Sequence, residues 1–171
     1  MSRILLADDS PHAQRMGERI LREEGFEVVT VTDGETALIR LADVDPDIVM
    51  ADVFLPQKSG YEICRYIKNH PKHGHARVIL LAGLLEPLDD NEVSRVKADA
   101  VLKKPFEASA VIETVKPLAE AAAAAREAAP PAPLEADPDR VRAAITLALD
   151  QATPALIDEI TARVLIALKN P

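Results

Sequence analysis

Four side chains suggest a chemistry before any element is drawn. Asp8 and Asp9 are adjacent in Ala7-Asp8-Asp9-Ser10, Asp52 sits in Met50-Ala51-Asp52-Val53, and Lys104 stands in Lys103-Lys104-Pro105. Brought together, three carboxylates repel one another and bind a hard divalent cation through oxygen. A carboxylate beside such a cation suits attack on phosphorus, and an ammonium can hold a phosphoryl oxygen as a point charge. Asp8 and Lys104 are 96 positions apart, so only a specific fold makes them neighbours.

The elements that would do so read as strand, helix, strand, repeated. Ile4–Ala7 is a short apolar run, as expected of a strand buried on both faces. Ser10-Pro11 supplies a cap and a first-turn proline for a helix to about Glu24, which Gly25 ends. Glu27–Val31 is the second strand, and Asp33-Gly34 opens a helix to about Ala42. Asp45-Pro46 breaks the chain before the third strand, Ile48–Ala51, and a helix from Gly60 to Lys68 follows. Val78–Leu81 is the fourth strand, Asp89–Lys97 the fourth helix, Ala100–Leu102 the fifth strand, and a fifth helix runs from Phe106 onward. Five such repeats predict an α/β doubly wound parallel sheet, because parallel strands need crossover connections. Ligands of such sheets bind outside the carboxyl ends of the strands, where the strand order reverses. In the order 2-1-3-4-5, strands one and three are neighbours at that point. Asp8 and Asp9 follow strand one, Asp52 follows strand three, and Lys104 ends strand five.

Those residues carry a family resemblance. Ala7-Asp8-Asp9-Ser10, Asp52 followed by Val53-Phe54-Leu55-Pro56, Gly60, and Lys104-Pro105-Phe106 resemble the response-regulator receiver pattern over residues 1–117. The resemblance implies a flavodoxin-like five-stranded sheet and a phosphoryl group accepted on Asp52. It also implies Mg²⁺ held directly by Asp9 and Asp52, partly through water by Asp8, and by the backbone carbonyl of Phe54. Lys104 would contact the phosphoryl group, across a cis Lys104-Pro105 bond. The implied partners are a sensor histidine kinase or phosphotransfer protein upstream and a protein target downstream. Two positions depart from the pattern. Ala82 stands where receivers carry Thr or Ser, and Val101 where they carry an aromatic switch residue. A second reading therefore stays open, a pseudo-receiver serving as a phosphorylation-independent platform.

Composition bounds these readings. The 171 residues hold 48% apolar and 28% charged residues, a soluble globular balance. No run approaches the roughly 20 apolar residues that cross a bilayer, and two acids precede any signal-peptide core. Cys64 is the single cysteine, which fits a cytoplasmic, reducing setting and core packing. A net charge of −8 argues against DNA. Plainer roles compete at each position: Asp9 as a helix cap, Asp52 as a loop acid, Lys103-Lys104 as a solvated pair. His70, His73 and His75 read as a solvated loop rather than a metal site, and His12 as an exposed helical residue.

Beyond residue 117 the composition shifts. Residues 118–134 hold nine alanines and three prolines and read as a linker that begins as an extension of helix five. Residues 135–171 read as a helical hairpin, its helices opened by Asp137-Pro138 and Thr153-Pro154. Val141, Ile145 and Leu149 form one apolar stripe, and Ile157, Ile160, Val164 and Leu168 the other. A pair so short cannot bury both stripes alone. The expectation is association through them, with a second copy as homodimer or with a partner protein. With six acids and four bases, the tail is no basic recognition helix.

Overall fold

The computed structural model describes residues 1–85 and 87–128. Five parallel strands, β1 (Arg3–Ala7), β2 (Glu27–Val31), β3 (Ile48–Asp52), β4 (Arg77–Ala82) and β5 (Ala100–Lys103), lie in the order β2-β1-β3-β4-β5. They alternate with α1 (Pro11–Glu23), α2 (Gly34–Val44), α3 (Gly60–Asn69), α4 (Asp90–Val96) and α5 (Ala108–Ala128).

The central strands are apolar throughout because both faces are covered. Leu5, Val49, Val78 and Leu80 pack with Ala37 and Leu41 of α2, Ile63, Cys64 and Ile67 of α3, and Val96 of α4. Ile4, Leu6, Met50, Ile79 and Leu81 pack on the other side with Ile20 and Leu21 of α1 and Val111 and Val115 of α5. Each fully buried aliphatic side chain contributes roughly 1.5–3 kcal/mol, so these two layers outweigh any surface ion pair.

Helix starts follow local chemistry. The Ser10 hydroxyl accepts from Ala13 N, and the Asp33 carboxylate accepts from Thr36 N at 2.7 Å. Ser59 and Glu62 form a reciprocal capping box, and Asp89 accepts from both Asn91 N and Glu92 N. Asp45, in a left-handed conformation at φ 44°, closes α2 two residues beyond the expected Ala42.

Residues 118–128 continue α5, the helical extension expected at the start of the linker, and they pack on the domain: Ala119 and Ala122 are buried, and Arg126 bonds to Asp45 and Asp47. The helix runs through Pro117, whose ring removes one N–H and crowds the carbonyl of Glu113, because the buried face continues at Val115 and Ala119. One sequence expectation is corrected: the histidine segment is not a solvated loop. His73 is buried, His70 stacks on Tyr66 and lies tilted against His73, and the His75 ring is 9% exposed against Asp45 and Arg126. The remaining linker and the hairpin, with its stripes from Val141 to Leu168, lie outside the described residues.

Candidate functional site

The β1–β3 pairing of Ala7 with Ala51 places the ends of these strands side by side. Asp8 leaves β1 fully buried, Asp52 is the last residue of β3 at 2% exposure, and Asp9 projects into solvent. Their carboxylates come together, with one oxygen of each within 4.8 Å of the others. The β5 register carries Lys104 to the same place, its backbone N–H donating to Ala82 O at 2.8 Å. Its Nζ bonds to Asp52 and lies 3.2 Å from Asp8 Oδ2. The Lys104-Pro105 bond is cis. All four expected side chains therefore meet.

Backbone donors orient the acids. Ser10 N donates to Asp8 Oδ1 at 2.9 Å, and Phe54 N donates to Asp52 Oδ1 at 2.8 Å. Burial pushes the Asp8 carboxyl above its usual range, against the opposing pull of the Ser10 N–H and the Lys104 charge. Burial works against the Lys104 ammonium, yet its bonds and charge contacts with Asp52 and Asp8 outweigh it and hold the ammonium above its ordinary value. Three carboxylates facing one ammonium leave two negative charges uncompensated when all are ionised. An all-oxygen donor set with that charge fits a hard divalent cation such as Mg²⁺.

Gly60 belongs to the same construction. A Cβ there would lie 2.6 Å from the Asp52 carbonyl oxygen, so α3 can start against the end of β3 only with glycine. Ala82 is buried at the end of β4 and Val101 is half-buried on β5. Neither brings a hydroxyl or a ring to the site. Phe54 and Leu84 are exposed beside it. His12 is exposed on α1, and Cys64 is buried in the core with its thiol pushed up to about 11 by burial.

Sequence reasoning missed two polar residues. The Gln14 amide bonds to the carbonyls of Asp8 and Val31, and the Tyr61 hydroxyl accepts from Asp89 N at 3.2 Å. A lone glutamine or tyrosine on a helix belongs to no pattern. Only the packing of α1 over β1 and β2, and of α3 beside α4, gives them partners.

Comparison with known proteins agrees with this geometry. The family model for the response regulator receiver domain matches residues 4–116. Protein PilG of Pseudomonas aeruginosa is 32% identical over 114 residues, 67% of this chain and 84% of PilG. Response regulator PleD of Caulobacter vibrioides is 40% identical over 83 residues, a stretch that is 48% of this chain but only 18% of PleD. A solved structure of a putative response regulator from Chloroflexus aurantiacus has a TM-score of 0.65 at 28% identity, covering 70% of this chain and 98% of that one. The chemotaxis response regulator CheY4 of Vibrio cholerae has a TM-score of 0.63 at 26% identity, covering 69% and 98%. With the family model matching residues 4–116 and PilG 32% identical over 67% of its length, this chain belongs to the response-regulator receiver family.

Proposed function

We propose that the chain is a phosphoacceptor response regulator of a two-component system, taking a phosphoryl group onto Asp52 from a sensor histidine kinase or phosphotransfer protein. The observation that carries this reading is the convergence of Asp8, Asp9, Asp52 and Lys104 at the ends of three strands. Asp9 and Asp52 would hold Mg²⁺ directly, Asp8 partly through water, with the Phe54 backbone carbonyl as a further ligand. When bound, the cation supplies positive charge that offsets the incoming phosphoryl oxygens.

The chain's own residues do the rest. Phe54 N–H fixes the rotation of the Asp52 carboxylate. A carboxylate oxygen of Asp52 forms the new P–O bond as the donor's P–N bond breaks. The electron pair of that bond stays on the donor imidazole, which takes up a proton. Lys104 holds a phosphoryl oxygen and keeps charge near the acids balanced. The chain acts on itself alone, in the cytoplasm, and its output is contact with a protein partner rather than DNA.

Ala82 and Val101 favour a second reading, a pseudo-receiver that works as a platform without phosphorylation. One experiment separates the two. The full chain is incubated with Mg²⁺ and a small phosphodonor such as acetyl phosphate, and its intact mass is measured. One phosphoryl increment per chain is expected, dependent on Mg²⁺ and absent in Asp52→Asn. No increment in the parent chain supports the platform reading, and unchanged labelling of Asp52→Asn defeats the site assignment.

A further inference from the structure

We infer that Gln14 is a positioning residue for cation binding, acting through the peptide that joins Asp8 to Asp9. The inference rests on the cation site proposed above. Gln14 lies one turn into α1, half-buried, with its amide over the ends of β1 and β2. Its Nε2 donates to Asp8 O at 2.6 Å and to Val31 O at 2.7 Å. Both acceptors are carbonyls, so the orientation of the amide is unambiguous: the reverse would set its oxygen against two oxygens. Both N–H bonds of the amide are thereby used.

What they hold matters more than their number. The Asp8 carbonyl belongs to the Asp8–Asp9 peptide, the plane from which the two acids project. Asp8 N donates to the same Val31 O at 3.1 Å, and Ser10 N donates to Asp8 Oδ1 at 2.9 Å. With the Gln14 bond added, the main chain of Asp8 is fixed at its N–H and its C=O, leaving Oδ2 facing Lys104. Asp9 is exposed, and none of the hydrogen bonds or ion pairs described above anchors its carboxylate. The direction in which it offers an oxygen is set through the peptide that Gln14 fixes. A rotated Asp8–Asp9 peptide would move the Asp9 carboxylate away from Asp52 while leaving the hydrophobic layers intact. Gln14 thus governs affinity for the cation rather than stability of the fold.

The test is calorimetric titration of the full chain with MgCl₂, well below its melting temperature. Gln14→Met keeps length and removes both donors; Gln14→Ala is the second variant should the first not fold. Ligand-orienting contacts of this kind are worth 10–100-fold in metal affinity, and an exposed partner favours the lower end, so about a tenfold rise in Kd is expected. Val115→Ala, in the core layer under α5, serves as the control for general destabilisation, with an unchanged Kd. Equal affinity in the parent and both Gln14 variants overturns the inference and leaves the site standing. An equal loss of affinity in Val115→Ala also overturns it, because the effect would then be one of stability. No Mg²⁺ binding by the parent chain takes down the site reading and this inference together.

Discussion

Ala82 and Val101 set what phosphorylation at Asp52 can do to the rest of the domain. A bound group shifts a two-state equilibrium only through contacts that differ between the states. A hydroxyl at the end of β4 would make such a contact, and Ala82 has none to offer. Its position is otherwise suited to one: β4 pairs with β3 through Leu81 and Asp52, so residue 82 stands next to the acceptor. Ala82→Thr is therefore expected to strengthen retention of a phosphoryl analogue such as beryllofluoride. A hydrogen bond to a charged group is worth about 1.5 kcal/mol or more, so the gain is about tenfold. Amide exchange over α4 and β5 should change little in that variant, because the half-buried Val101 has no ring to follow the hydroxyl. A large exchange response in the parent chain on phosphorylation would refute the argument. At this scale the site was legible in the sequence because charged residues at strand ends are few and a parallel sheet gathers its strand ends. Gln14 was not, since its two acceptors are backbone carbonyls that any sequence supplies.

The fifth helix connects the two ends of the sheet. It packs under β3 and β4 and ends at a charge cluster at the opposite end of the sheet from the acids. There Arg126 donates from Nε to Asp47 Oδ1 at 3.1 Å and from Nη2 to Asp45 O at 2.9 Å, and also meets the Asp45 carboxylate. Arg3 pairs with Asp45 at 3.0 Å. Arg126 Nη2 also lies 2.8 Å from His75 Nε2, and since a guanidinium only donates, this contact is a hydrogen bond in the tautomer whose Nε2 accepts. Burial, then the Arg126 charge, lowers the His75 pKa, against the pull of Asp45, Asp47 and a backbone bond to Pro46. His73 is lowered likewise, by burial and then by His70. As pH falls below 6.5, the unfolded chain takes up these protons while the folded chain resists. Their contribution is complete above that value and is lost as pH falls toward the lowered folded pKa values. Asp45 acts in a separate window. Burial opposes its ionisation, but Arg126, His75 and Arg3 hold its carboxyl below 3.8, so its contribution is lost only in stronger acid. The melting temperature is expected to fall between about pH 7 and pH 5.5, and amides of residues 118–128 to exchange faster there. His75→Gln can still accept from Arg126 and should flatten the slope; adding His73→Gln should flatten it further. An unaltered slope in the double variant would remove the histidines from the account. None of this was visible in sequence, because Arg126 sits in an alanine-rich run that reads as a spacer, and its partners are 79 and 81 residues away.

For the described residues, chemistry lies at the carboxyl end of the sheet and the end of α5 is fastened at the other, against Asp45 and Asp47. Strand positions, helix starts and the two-faced core were readable from apolar runs, caps and glycines, which are local signals, whereas the strand order came with the family resemblance. The tail offers only its pattern. Val141, Ile145 and Leu149, with Ile157, Ile160, Val164 and Leu168, are seven aliphatic residues in two runs at helical spacing. Burying each is worth roughly 1.5–3 kcal/mol, and soluble monomers rarely leave such a patch in water. The three-four-four spacing of the second stripe is the seam spacing of paired helices. Packing back on the domain is disfavoured by Pro130, Pro131 and Pro133, which stiffen the connection directly after the fastened helix. From this sequence pattern we propose that residues 135–171 self-associate, with a dimer the smallest closed solution. Light scattering of the full chain should then give about twice the monomer mass, and a chain ending at Ala128 should be monomeric. Replacing Ile160 and Val164 with Asp should return the full chain to monomer without altering phosphorylation at Asp52. If the full and shortened chains have monomer masses at equal concentration, self-association is wrong and the stripes are covered by a partner protein or by the domain itself.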